Sequence, residues 1–283
     1  MNLVKKLQID PTVIQQKITQ FIRDYMDKTQ AEGVILGISG GVDSATTVAL
    51  SVTALGRTRV LGLYMPEKET VSEQDKKHVE LLARKFKFKL ITVDLTDILG
   101  AFYRNIQDYD EEDKLSRGNL KARTRMLILY YYANHQNRIV VGSSDKSETM
   151  MGYFTKWGDG ASDISPIMDL YKTQVRQLAL HIGVPQSIVE KPSTPGLWPG
   201  QTAEEEIGLK YKILDQILYS LEHFVHTKTI ASQLHLPIKT ITSIKNRWLQ
   251  TEHKRQTPLT TKLSYRTIGA DFRLNRSMKS GSE

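Results

Sequence analysis

The chain has 283 residues, 40% hydrophobic and 25% charged, with a formal charge of +8 and no cysteine. That length buries a sizeable core as one large domain or two small ones. No apolar run approaches the ~20 residues that span a bilayer, and the start MNLVKKLQIDP lacks a signal-peptide core, so a cytoplasmic protein is expected. Without cysteine there are no disulfides, zinc–thiolate or iron–sulfur sites, and no thiol nucleophile. The positive charge suits anionic partners, nucleic acid or a small polyphosphate, without choosing between them.

Along the chain, Asp10-Pro11 predicts an N-cap and the first residue of a helix. Behind it Ile14, Ile18, Phe21, Ile22, Tyr25 and Met26 fall on one helical face. Gly33 opens the short apolar run GVILGI, a strand. Ala45, Val48, Ala49, Val52 and Leu55 then recur at helical spacing, with Gly56 as the stop. RVLGLYM reads as a strand, and SEQDKKHVELLARKF as a helix opened by Ser72 and Asp75, an acidic form of the capping box. FKLITVDL is a strand, residues 96–136 are mostly helical around an acidic loop QDYDEEDK, and RIVVGS is a further strand. Strands of continuous hydrophobicity alternating with helices predict an α/β fold, an open parallel sheet with helices on both faces. After Gly142 come loops rich in Gly, Asp, Ser and Pro, then extra helices to about Gln250. The expected organisation is a single domain over residues 1–260 and a basic tail over 261–283, partly flexible.

LGISGGVDSA, from Leu36 to Ala45, carries the chemistry. Ser39-Gly40-Gly41 lies between a strand and a helix, at the strand's carboxyl end, where open parallel sheets bind ligands. Glycines let the backbone approach an anion, and the amides opening the next helix point at it with the helix dipole behind them. Ser39 and Ser44 add hydroxyl donors. Asp43 would repel a bare phosphate, so its presence implies a bridging cation, with magnesium the expected hard ion. GxxxxGK[ST] is excluded because no lysine follows the glycines, and GxGxxG because Gly40 and Gly41 are adjacent.

The pattern that remains, SGGxDS, resembles the pyrophosphate loop of the N-type ATP pyrophosphatases, adenine nucleotide alpha-hydrolase-like enzymes. These cut ATP between the α and β phosphates, transfer AMP to a substrate oxygen and release pyrophosphate. Four further stretches are similar to the ammonia-dependent NAD synthetase family: GNLKARTRM (118–126), GSSDKSETMMGYFTKWGDGASDISPIMDLYK (142–172), PGLWPGQTAEEEIGLKY (195–211) and TEHKR (251–255). With the glycine loop, the resemblance covers roughly residues 10–260.

The resemblance implies that Gly37, Ile38, Ser39, Gly40, Gly41, Val42, Asp43 and Ser44 form an ATP-phosphate loop, and that Asp43 and Glu148 bind Mg2+. Ser143, Lys172 and Ser193 fall where the family contacts ATP; threonine is commoner there at the two serine positions, and serine keeps the hydroxyl. Arg123, Lys156, Asp163, His253 and Lys254 match positions that hold deamido-NAD, whose diphosphate and pyridine carboxylate suit arginine and lysine. Tyr25 has the spacing at which the family sets an aromatic against the pyridine ring; without the resemblance it is equally a core tyrosine. Phe154 and Trp157 are either stacking or packing residues. On the same footing Glu148 reads as a solvated helix-start carboxylate and Lys172 as a helix-face lysine.

The implied reaction is adenylation of the deamido-NAD carboxylate by ATP, then attack of ammonia with loss of AMP. Asp43 and Lys172 would act on the phosphates, and Asp163 would orient ammonia or accept a proton. Lacking cysteine, the chain cannot hydrolyse glutamine by a thiol route, so free ammonia or a separate glutaminase partner supplies nitrogen. The family is usually a homodimer, and the helix expected over 116–136 carries more apolar surface than one core face needs. Two rival readings remain. One is a tRNA-modifying ATP pyrophosphatase. The other is a DNA-binding helix-turn-helix at TIASQLHLPIKTITSIKNRW, with Lys239, Lys245 and Arg247 facing phosphates.

Overall fold

The structure is a computed structural model and describes residues 3–268 and 271. Helices α1 (Leu3–Lys6) and α2 (Pro11–Thr29) precede the sheet. The Asp10 carboxylate accepts the Thr12 and Val13 amides at 3.0 and 3.2 Å, and Pro11 sits in the first turn, where its missing N–H leaves nothing unpaired. The single turn α1, with Leu3 buried, has no counterpart among the sequence expectations.

The chain then alternates through β1 (Gly33–Gly37), α3 (Val42–Leu55), β2 (Val60–Tyr64), α4 (Glu73–Phe86), β3 (Lys89–Thr92), α5 (Thr96–Asn105), α6 (Lys114–His135) and β4 (Arg138–Val140). All four strands are parallel, in the order β3-β2-β1-β4. The winding therefore changes direction between β1 and β4, and the crevice above that point is where such sheets bind ligands. Val34, Ile35 and Leu36 are all buried because both faces are covered, which explains a continuous apolar run in place of an alternating one. On one face α2 and α3 supply Ile22, Met26 and Val48; on the other α5 and α6 bring Leu99 and Ala133 against Ile35 and Leu61.

Beyond β4 the chain adds α7 (Lys146–Met151), α8 (Lys172–His181), α9 (Gln186–Val189), α10 (Ala203–Ile207), α11 (Tyr211–Glu222), α12 (Thr227–Leu234) and α13 (Ile238–Gln250). These build a second apolar cluster in which Met151, Leu214, Ile217, Ile230 and Ile241 are buried together. The α12–α13 pair takes the expected helix-turn-helix form, but its apolar side, Ile230, Ile241 and Ile244, is spent inside this cluster.

Two local expectations need correction. Ser72 does cap α4, accepting the Asp75 amide at 3.1 Å, but the Asp75 carboxylate pairs with Lys191 and does not complete a capping box. RIVVGS is a strand for only three residues, extended by a lone parallel bridge between Val141 and Ile164, because the chain must leave the sheet to enter the site. Among the described residues no helix is long and apolar enough to cross a membrane. From residue 269 onward the expected basic tail lies outside the described residues, Asp271 excepted.

Candidate active site

The glycine loop leaves β1 at its carboxyl end, and its conformation requires the residues found there. Gly40 has φ 79°, and a Cβ on it would lie 2.9 Å from the Asp75 carbonyl oxygen. Gly41 is the N-cap of α3 and offers no side chain to its first amides, so those donors remain available to a ligand. The loop braces itself: the Ser39 amide donates to Ser44 Oγ at 3.2 Å, and Ser44 Oγ donates to the Gly41 carbonyl at 3.2 Å. It opens onto a cavity of about 480 Å³ bounded by the end of β2, one face of α6, the 142–144 turn, the 152–161 loop and the 191–203 segment.

Beneath this cavity lies a buried charge cluster. Lys172, the first residue of α8, is fully buried, with Nζ 2.7 Å from Asp43, 2.9 Å from Asp145 and 2.7 Å from Glu148. The Tyr211 ring closes it from below, its centroid 5.1 Å from Nζ. Asp43 and Glu148 face the cavity; Asp145 and Lys172 lie behind them. Burial, opposed by Lys172 and reinforced by Asp43, pushes the Asp145 carboxyl up to about 7, and burial raises Glu148 likewise. For Lys172 burial favours the neutral amine, but the three carboxylates overturn it and hold the ammonium charged.

The starts of α7 and α8 are fixed by carboxylates. Asp145 caps α7 by accepting the Glu148 amide at 2.8 Å. Tyr171 cannot cap α8 with its side chain, and Asp215 on α11 does so instead. It accepts the Thr173 amide at 2.8 Å and Ser147 Oγ at 2.6 Å, while Ser147 Oγ accepts the Lys172 amide at 2.9 Å.

Two oxygen ligands can be read here for a hard cation. Asp43 Oδ1 is buried without a hydrogen-bond partner, and Glu148 faces the same space. Among the described residues no group of three or more His, Asp or Glu forms a closed metal cage, since the Lys172 ammonium fills the middle of the carboxylates. An open pair of carboxylates fits magnesium, which takes few protein ligands beside phosphate oxygens.

The sequence-predicted residues divide into three groups. Gly37, Ile38, Ser39, Gly41, Val42, Asp43, Ser44, Ser143, Glu148, Ser193 and Lys254 line the cavity, and Ser193 Oγ is buried there without a partner. Gly40 packs against α4, and Lys172 sits below the floor. The others lie outside the cavity lining in two sets. Arg123 donates to the Lys156 carbonyl at 3.3 Å and Lys156 Nζ to the His253 carbonyl at 2.7 Å; this set adjoins the cavity-lining Lys254, whose Nζ donates to the Gly152 and Phe154 carbonyls at 2.8 and 2.7 Å. Asp163 accepts the Val140 amide at 2.8 Å and the Tyr130 hydroxyl at 3.3 Å, and Tyr25 is half-buried near Tyr130. Phe154 lines the cavity, whereas Trp157 is 49% exposed beside Lys156.

A profile of the NAD synthase family matches residues 14–258. The chain belongs to the NAD synthase family. It is 46% identical over 254 residues to the NH(3)-dependent NAD(+) synthetase of Methanocaldococcus jannaschii, covering 88% of this chain and 96% of that one. It is 42% identical to the enzyme of the same name from Methanosarcina acetivorans, with 86% and 95% covered. Among solved structures, an NMN synthetase from Francisella tularensis aligns with a TM-score of 0.79 at 32% identity, over 90% of this chain and all (100%) of that one. An NH3-dependent NAD synthetase from Campylobacter jejuni gives 0.75 at 28% identity, over 90% and 100%. The four-stranded open parallel sheet is thus that of NAD synthetase structures.

Several residues of the candidate site escaped sequence reasoning. Asp145 carried a signal, being three residues before Glu148 at a helix start, the spacing of a capping box. Asp215 and Tyr211 carried none, since α11 reads as an ordinary amphipathic helix and only the fold brings it beneath α8. Arg125 also lines the cavity, donating to the Met65 carbonyl at 3.3 Å.

Proposed function

We propose that the chain is an NH3-dependent NAD+ synthetase, amidating deamido-NAD with ammonia while ATP is cleaved to AMP and pyrophosphate. One observation carries this reading: the uncapped start of α3 opens onto a cavity whose floor presents Asp43 and Glu148 over a buried lysine. A carboxylate is a poor electrophile, so its oxygen first attacks the ATP α-phosphorus and displaces pyrophosphate. Ammonia then adds to the acyl carbon, AMP departs with the transferred oxygen, and the surplus proton passes to solvent. The amides of Val42 and Asp43 and the hydroxyls of Ser39, Ser44, Ser143 and Ser193 hold the phosphates in line, a task of positioning and charge balance. Lys172 supplies the positive charge beneath them. Asp43 and Glu148 would hold a Mg2+ ion, which when bound neutralises the polyphosphate.

Arg123, Lys156, His253 and Lys254 take the dinucleotide's diphosphate side, and Tyr25 with Asp163 takes the pyridine side. Arg123 shares an exposed face of α6 with Leu127 and Tyr131, 56% and 67% exposed, which suits a homodimer with substrate near the seam. The catalytic unit is residues 1–260, and the donor is free ammonia or ammonia passed on by a separate glutaminase.

A second reading exchanges the dinucleotide for the mononucleotide, favoured by the likeness to an NMN synthetase. Mass spectrometry of products from ATP, magnesium and ammonium with either acid decides: NAD and AMP are expected from deamido-NAD, and product from the mononucleotide alone would replace the first reading with the second. Asp43→Ala is expected to abolish pyrophosphate release, and undiminished release would remove Asp43 from the scheme.

A further inference from the structure

A second buried lysine lies apart from the Lys172 cluster. Lys121 on α6 is 1% exposed, with Nζ 2.9 Å from Glu67 Oε2 and 3.0 Å from Glu69 Oε2. Glu67, itself 5% exposed, organises the whole turn that follows β2. Its carbonyl accepts the amides of Thr70 and Val71 at 3.1 and 2.8 Å. Its carboxylate accepts the Glu69 amide at 2.9 Å and the Thr70 hydroxyl at 3.3 Å. One turn of α6 earlier, Arg117 donates to Glu69 at 2.7 Å.

This turn has two faces on the site. Glu67, Thr70, Val71 and Ser72 line the cavity directly. Ser72 then starts α4, and the Asp75 backbone three residues on is the surface against which Gly40 packs, too close to admit a Cβ. The position of the glycine loop therefore depends on where α4 begins, and α4 begins where the 67–71 turn puts it.

We propose that Lys121 and Glu67 are positioning residues for the nucleotide half of the cavity: the pair fastens the 67–71 turn to α6 and so sets the seat of the glycine loop. This rests on the reading of that loop as the ATP site. A lysine and a glutamate taken out of water recover their hydration only through close, multiply bonded geometry, so the role assigned to the pair is to specify one arrangement of the turn, not to add net stability. Removing one partner alone would strand a buried charge, so a pair of changes gives the cleaner experiment.

In Lys121→Met with Glu67→Gln, the glutamine oxygen still accepts within the turn, while the tether to α6 is gone. The double variant is expected to keep its circular dichroism and to bind ATP about tenfold more weakly by calorimetry, with the ATP KM raised alike. The deamido-NAD KM stays within about twofold, since Arg123, Lys156 and His253 do not touch this turn. Unchanged ATP affinity in the folded double variant overturns the proposal, as does an equal rise in both KM values, which would mark general loosening. Should the double variant not fold, Lys121→Arg serves: a raised ATP KM with an unaltered deamido-NAD KM supports the tether, and an unaltered ATP KM overturns it. Wild-type protein that binds no ATP would instead refute the site reading on which the proposal stands.

Discussion

The two halves of the cavity are built by different physics. The glycine loop presents main-chain amides, and its requirements are steric: a positive φ at Gly40, no cap at Gly41, no bulk against α4. The floor works through side-chain charge, three carboxylates around one ammonium, and its requirements are electrostatic. A steric device fails when atoms are added, and a charge cluster fails when one is taken away. Substitutions can therefore be chosen to break one without the other.

Lys172→Met should do the most damage. It leaves the buried Asp145 and the half-buried Asp43 and Glu148 facing each other without a cation, and breaking such a cluster from one side costs about 3–5 kcal/mol. Urea denaturation should show that loss, and pyrophosphate release should fall by about three orders of magnitude as the charge balance goes. Adding Asp145→Asn removes one of the stranded charges while keeping the cap on the Glu148 amide. Stability should then partly recover while activity does not. If the double variant is no more stable than the single one, the cluster is not held by charge.

Gly40→Ala comes next and tests the steric half. A left-handed backbone costs a non-glycine residue about 1–2 kcal/mol, and the added methyl must also push the Asp75 carbonyl aside. Activity should drop about a hundredfold through the ATP KM and kcat together, as displaced amides lose their line on the phosphates. The matching change at Gly196, also at positive φ but with open space around its Cβ position, should carry only the backbone part. Equal effects at the two glycines would remove the packing argument.

The same division explains what the sequence disclosed. Steric devices are local, so the strand, the glycines and the helix start were legible in LGISGGVDSA, and so was the Asp10 cap with Pro11 behind it. Charge clusters are assembled across the fold. Lys172 and Asp43 lie far apart in the chain, and Asp215 reaches α8 from another helix, so no spacing rule announces them. Lys121 is one of many lysines on paper; only its burial beneath the β2 turn distinguishes it. The family resemblance supplied Lys172 and Glu148, but it did not disclose that the lysine sits under the floor and outside the cavity lining.

The smallest expected effect sharpens the comparison most, because its two readouts move in opposite directions. Ser193 Oγ is buried at the cavity wall with no hydrogen-bond partner, so the protein without ligand carries the desolvation of an unsatisfied hydroxyl. Ser193→Ala removes that burden, and thermal stability without nucleotide should hold or rise slightly. If the hydroxyl bonds a phosphate when ATP is present, the same change loses one hydrogen bond worth about 0.5–1.5 kcal/mol, and the ATP KM should rise about two- to tenfold. A structural serine would give the reverse, lower stability with an unchanged KM. That outcome would leave the phosphate contacts to the main chain of the glycine loop and the charge beneath it.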